Sequence, residues 1–300
     1  MKTEEPILTL RVPAEFNFEE CLVVLERSPL ENLYGIRNKH IRKLLVHEGE
    51  MIFIEIAHAE CALRIEFLTG TPSSGGISAV QAFVEEWFDL QTDLLPFYEM
   101  AAQDPILHEL VKKHYGLRLL CIPDLFEVLS WAVMGQQINL AFAYTMKKRF
   151  VENFGESFVV DGETHWAFPT CEKIAEIEVD ELRQLQFTAK KAEYIIGIAR
   201  AMANGDLSKQ ALMREKDEQK VEQALTAIRG IGPWTANYAM MRCLHVPSAF
   251  PLVDVGLHNA LKKLLEREHK PALSEVEALS KKWNGWQAYA AFYLWRTLYE

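Results

Sequence analysis

The stretch from Arg229 to Asp254 constrains this chain more than any other. In Ile228-Arg-Gly-Ile-Gly-Pro-Trp-Thr-Ala236 a helix must stop, the chain must turn and a second helix must start. Gly230 and Gly232 lie two apart, so the turn can take φ > 0 and its backbone can come close to a ligand. Pro233 stands where a first helical position would fall, and its missing N–H costs nothing there. The N–H groups of the turn and of the next helix start then point outward, which suits a phosphate oxygen. Gly230, Ile231, Gly232 and Thr235 are therefore candidate phosphate contacts. A lone Gly-x-Gly is weak evidence, since most instances merely join two helices. The residues that follow sharpen it.

Asp254 lies 22 residues beyond Gly232, after a helical run through Arg242 and the loop Val246-Pro-Ser-Ala-Phe-Pro251. Leu257, Leu261 and Leu264 follow at helical spacing, which puts Asp254 at a helix N-terminus. Capping is the common use of such an aspartate. The same position favours a negative charge, so capping and charge-based chemistry are compatible in one side chain.

The remainder divides by texture. Residues 1 to about 95 alternate as strands at Ile7–Val12, Leu44–His47, Met51–Ala57 and Ala62–Leu68. Phe18–Glu26 is a helix capped by Asn17, Glu48-Gly49-Glu50 is a turn, and Gly70–Gly76 is a flexible break. This predicts a small α+β domain at 1–95. Residues 96–300 are helical almost throughout. Asp124 opens a helix with a variant capping box, and Thr188 caps one that runs to Ala203 before Gly205. Glu218–Ile228 is a further helix, Ser274 caps another, and the aromatic segment Trp286–Tyr299 packs back on the core. The expected fold is mostly α with a small α+β domain in front.

Composition excludes several classes. The 300 residues are 49% hydrophobic and 25% charged, ordinary soluble values for about two domains. No apolar run is long enough to span a bilayer, and the N-terminus is no signal peptide, so a cytoplasmic location is expected. Cys21, Cys61, Cys121, Cys171 and Cys243 are scattered and never C-x-x-C, which argues against disulfides, zinc or an iron–sulfur cluster. Nine histidines show no metal-ligand spacing, and no metal or cofactor is expected. The net charge of −10 counts against a nonspecific nucleic-acid binder. A grip through backbone N–H groups softens that objection. Lys147, Lys148, Arg149, Lys190 and Lys191 could touch phosphates, although such runs are usually solvated helix faces.

With the hairpin and the aspartate in place, the chain resembles the helix-hairpin-helix base-excision glycosylases. Within them it is similar to the AlkA-type alkylpurine DNA glycosylases (DNA-3-methyladenine glycosylase II). Trp131-Ala-Val-Met-Gly-Gln-Gln-Ile138, Phe168-Pro-Thr170 with Lys190-Lys191-Ala192, and Trp286 through Trp295 resemble further stretches of that family. The likeness covers residues 100 to 300 well and the first domain loosely. It implies two helical subdomains around the hairpin and a TATA-binding-protein-like accessory domain. It also implies a monomer acting on damaged double-stranded DNA, and makes a monovalent cation at the hairpin plausible.

By the same resemblance, Asp254 stabilises the cationic sugar formed as the N-glycosidic bond breaks. Bifunctional members carry lysine where Trp234 stands, so a monofunctional enzyme that leaves an abasic site is expected. The flipped base is held by Trp234, Tyr238 and Trp295, with Gln136 near it. Plain core packing is the rival for each ring. Gln137 falls at the position that fills the gap in the duplex, where one branch uses leucine. Two alternatives stand beside this reading: a noncatalytic DNA-binding module, and a glycosylase for deaminated or oxidised bases.

Overall fold

The structure, a computed structural model, describes residues 7–299. Strands β1 (Ile7–Arg11), β2 (Tyr34–Arg37), β3 (His40–His47), β4 (Glu50–Ala59) and β5 (Ala62–Phe67) form an antiparallel sheet ordered β1-β5-β4-β3-β2. Helix α1 (Phe18–Leu25) follows β1, with Asn17 accepting the Glu20 N–H at its start (3.1 Å), and α2 (Ser74–Trp87) follows β5. Ile41, Ile54, Ile56, Leu63 and Ile65 alternate inward on the sheet and are fully buried, as period-2 patterning requires.

The helical part runs α3 (Leu95–Ala101), α4 (Leu107–Lys113), α5 (Leu125–Gly135) and α6 (Leu140–Phe154). A hairpin of β6 (Glu156–Val160) and β7 (Glu163–Ala167) interrupts it. Then come α7 (Cys171–Ala175), α8 (Val179–Gln184), α9 (Ala189–Ala203), α10 (Lys209–Arg214) and α11 (Glu218–Thr226). The chain ends with α12 (Pro233–Arg242), α13 (Val255–Leu264), α14 (Leu273–Lys282) and α15 (Gln287–Arg296). One continuous apolar core joins the inner sheet face to these helices, and α15 lies within it. Among the described residues no helix is long and apolar enough to cross a membrane.

Three local expectations change. The Gly70–Gly76 break is partly helix: Ser73 caps α2 by accepting the Gly76 N–H (3.0 Å), and Glu50 accepts from the Ser73 hydroxyl (2.7 Å). A Cβ on Gly76 would meet Glu50 Oε2 at 2.7 Å and Ile52 Cδ1 at 2.8 Å, so that glycine permits close packing on β4. Ser274 is not a cap. α14 starts at Leu273 after Ala272, without a side-chain bond at its cap. The β6–β7 hairpin was not anticipated. Its turn is Asp161-Gly162, both at positive φ, and it lays His165 and Phe158 against Phe53 on the outer face of the sheet (4.2 and 6.1 Å between rings).

The two parts are also joined by a half-buried cluster of charged groups. His245, at φ 54 just beyond α12, faces Glu86 (3.2 Å) of α2, Asp89 (3.4 Å) and the Cys121 thiol (3.7 Å). Lys209 meets the same Glu86 oxygen, Oε1, and donates to the Pro123 carbonyl (2.7 Å). Burial disfavours the charged imidazole, but hydrogen bonds to Asp89, Cys121 and Glu86 outweigh it and push the pKa up to about 12. The folded pKa is raised, so the contribution is complete below the unfolded value of about 6.5 and declines as pH climbs toward the folded value. His245→Gln should therefore cost about 2 kcal/mol at pH 6. The gap in melting temperature between wild type and variant should narrow at pH 9. Thermal melts at both pH values check this, and a gap that widens with pH contradicts the assignment.

Candidate active site

The hairpin forms where the sequence places it. α11 ends at Thr226, Gly230 takes φ +97, and Gly232 caps α12 with Pro233 in its first turn. The two glycines differ in kind. A Cβ on Gly230 would lie 2.3 Å from Tyr194 Cγ, so its positive φ and its contact with α9 both demand glycine. Gly232 has φ −93, an ordinary extended value, and a Cβ there would meet nothing within 4 Å. The positive φ expected of this turn is taken by Gly230. Gly232 instead leaves the backbone bare to an approaching group.

The hairpin offers backbone rather than side chains. Ile231 is buried, and its N–H donates to the Ile228 carbonyl (3.0 Å). Thr235 is buried too, and its hydroxyl accepts from Gln136 Nε2 (3.2 Å). The same Gln136 nitrogen donates to the Gly230 carbonyl (3.0 Å), tying the end of α5 to both sides of the turn. The N–H groups of Gly232, Trp234 and Thr235 find no backbone acceptor among the described residues, and exposed Gly232 is the one open to a phosphate. Gln137 is exposed in the left-handed region (φ 58), on the loop between α5 and α6.

α9 braces this turn. Tyr194 fills the space at Gly230, and the Arg229 guanidinium lies over that ring (5.6 Å) while pairing with Glu193 (2.9 Å). Two lysines offered as phosphate contacts are not at the surface. Lys191 is buried and donates to the Met134 carbonyl near the C-terminus of α5 (2.7 Å), and burial lowers its pKa. Lys147 is buried between Glu31 (3.0 Å) and Glu127 (3.4 Å). Burial works against its charge, but the two carboxylates hold its pKa well above the ordinary value. Neither was legible in the sequence, because periodicity cannot tell a solvated lysine from one that meets a carbonyl or a carboxylate in the interior.

Asp254 caps α13 and draws three elements together. Its Oδ1 accepts the Leu257 N–H (2.7 Å) and the Trp295 indole N–H of α15 (2.8 Å). Its Oδ2 accepts the Trp234 indole N–H of α12 (3.1 Å). All three partners donate, which suits an ionised carboxylate. Trp234 stacks on Tyr238 (5.6 Å, 22°), and Tyr238 meets Trp295 (6.0 Å). The rings of Trp234, Tyr238 and Trp295 thus gather around one half-buried carboxylate.

Sequence reasoning missed the groups behind these rings. The Tyr238 hydroxyl accepts from Trp131 Nε1 (3.1 Å) and from the buried Arg242 (3.2 Å). Arg27, from the segment after α1, bonds Tyr144 and Tyr299 through its guanidinium. Arg27, Trp131, Tyr144 and Arg242 line a cavity of about 50 Å³, which has room for water and not for a base. Arg27 and Arg242 carry no local sequence signal. Tertiary packing alone brings them to the tyrosines.

Comparison with known proteins matches residues 130–285 to the HhH-GPD superfamily base excision DNA repair proteins. Residues 15–129 match the N-terminal domain of 8-oxoguanine DNA glycosylases. A DNA-3-methyladenine glycosylase of Bacillus subtilis is 44% identical over 98% of this chain and 97% of its own length. Among solved structures, the 3-methyladenine DNA glycosylase of Archaeoglobus fulgidus superposes with a TM-score of 0.81 at 22% identity, covering 96% of this chain and 97% of that one. The 3-methyladenine DNA glycosylase of Schizosaccharomyces pombe, solved with abasic DNA, gives 0.55 at 24% identity over 66% and 93%.

Exchanging the two glycines should separate fold from contact. Gly230→Ala is expected to cost about 2 kcal/mol or more, from the left-handed φ and the clash with Tyr194. Gly232→Ala, at an N-cap, should lower the melting temperature by much less than Gly230→Ala yet weaken binding to duplex DNA. Melting curves and anisotropy titrations read the two effects. Unimpaired binding by Gly232→Ala would remove this backbone from the contact.

Proposed function

Because the chain belongs to the HhH-GPD superfamily of base excision DNA repair proteins, we propose that it is a monofunctional alkylbase DNA glycosylase. It hydrolyses the N-glycosidic bond of alkylated purines of the 3-methyladenine type in duplex DNA and leaves an abasic site. The carboxylate of Asp254, held by the indole N–H groups of Trp234 and Trp295, is the observation that carries this reading.

The chemistry follows from that arrangement. As the bond to the base breaks, positive charge grows on the sugar. A fixed carboxylate beside C1′ stabilises that charge without reorganising. A carboxylate has about four acceptor sites. Three are used, two on Oδ1 and one on Oδ2, so the free site on Oδ2 is the one for the sugar or the attacking water. An alkylated purine already carries positive charge and leaves readily, so one carboxylate suffices without a strong acid. Trp234 stands where a Schiff-base lysine would be needed for strand cleavage. The half-exposed ring of Trp234, backed by the buried rings of Tyr238 and Trp295, suits a flipped, electron-poor base.

Gln136 we assign to bracing the hairpin rather than to the base pocket, since its amide nitrogen is committed to Gly230 and Thr235. The exposed Gln137 is the side chain we place in the gap left by the flipped nucleotide. The protein acts as a monomer on one lesion at a time.

Wild type incubated with duplex DNA carrying methylated purines should release free base and leave the strand intact until base or heat is applied. Asp254→Asn should lower the release rate at least about 100-fold, as loss of a transition-state electrostatic contact does, while still binding duplex with an abasic-site analogue. Equal release by the two proteins would refute the role of Asp254. Strand breaks without added base or heat would refute the monofunctional reading.

A further inference from the structure

Asn237 lies one turn into α12, between the hairpin and the loop that delivers Asp254. Its side-chain amide reaches three segments. Nδ2 donates to Glu222 Oε1 on α11 (3.0 Å), across the hairpin, and to the Pro233 carbonyl at the start of α12 (3.0 Å). Oδ1 accepts the N–H of Phe250 (3.1 Å). These partners fix which end of the amide is which, because two acceptors face one end and a donor faces the other. Neither a carboxylate nor an alkyl group of the same size serves both ends.

From Phe250 the chain is tied stepwise to Asp254. The Leu252 N–H donates to the Phe250 carbonyl (2.8 Å), and the Asp254 N–H donates to the Pro251 carbonyl (2.8 Å). The His258 ring meets the Leu252 carbonyl (2.9 Å). The Phe250 ring is buried against Trp283 (6.0 Å). The Asn237 amide therefore joins both helices of the hairpin to the root of the Asp254 loop.

We propose that Asn237 is a positioning residue, which sets the Asp254 carboxylate relative to the nucleotide gripped by the hairpin; this rests on the glycosylase reading above. It touches no DNA and takes no part in bond breaking. Its effect is on geometry, and a misplacement of about 1 Å can cost roughly 100-fold in rate. Asn237→Asp preserves size and the bond to Phe250. It replaces the donor with an acceptor that faces Glu222 and the Pro233 carbonyl.

The test is single-turnover release of methylated purine from duplex DNA, run beside binding to duplex carrying an abasic-site analogue. Asn237→Asp should slow release about 10- to 100-fold while leaving affinity nearly unchanged. Adding Glu222→Gln to that variant returns a donor to the pair and should recover most of the lost rate. Asn237→Ser, which removes the amide without adding charge, is the second variant should Asn237→Asp fail to fold, and the same split between rate and affinity is expected. A rate within about twofold of an active wild type overturns the proposal alone. So does an affinity that falls in step with the rate, since the amide would then brace only the hairpin. A wild type that releases no base overturns the glycosylase reading and this proposal with it.

Discussion

Three N–H groups converging on the Asp254 carboxylate are what the rest of the structure depends on. One comes from the first turn of α13, one from Trp234 on α12 and one from Trp295 on α15. A half-buried carboxylate is costly unless it is hydrogen-bonded, and here each bond also fixes the place of an element. The hairpin helix and the C-terminal helix are held against the same two oxygens. Their aromatic rings are therefore gathered at one negative charge, the one the proposed chemistry uses.

The same logic explains how a chain with net charge −10 can hold DNA. Two of the five cations that the sequence offered are used inside, Lys147 on Glu31 and Glu127 and Lys191 on the end of α5, while Lys148, Arg149 and Lys190 stay outside the core. What the surface supplies at the hairpin is the exposed backbone N–H of Gly232 at a helix start. Such donors need no lysine, cost no side-chain entropy and are held by the fold. Donors of this kind can hold a backbone without reading its sequence, which suits the proposed search for damage rather than for a site.

Local signals proved most legible. Asn17, Asp124, Thr188 and Asp254 all cap helices where the spacing places them, because a cap is a bond to an N–H three residues on. The Asp161-Gly162 hairpin was equally local but was passed over, although an Asp-Gly pair is a strong turn signal. Ser274 misled in the opposite way. It has the chemistry of a cap, but the helix already begins one residue before it, at Leu273.

By itself, then, the sequence determined the hairpin, the aspartate after it, the tryptophan in place of a lysine and the division into a strand-rich and a helical part. Each follows from neighbours a few residues apart. Only the tertiary structure decided that the indoles of Trp234 and Trp295 both donate to Asp254, across 20 and 41 residues. It alone decided that Gly230 is required by Tyr194, that Lys147 and Lys191 are interior, and that Asn237 links the hairpin to the Asp254 loop. The reason is physical. Periodicity and turn chemistry act along the chain, whereas burial, ion pairing and the sharing of one acceptor among distant donors exist only once the chain has packed.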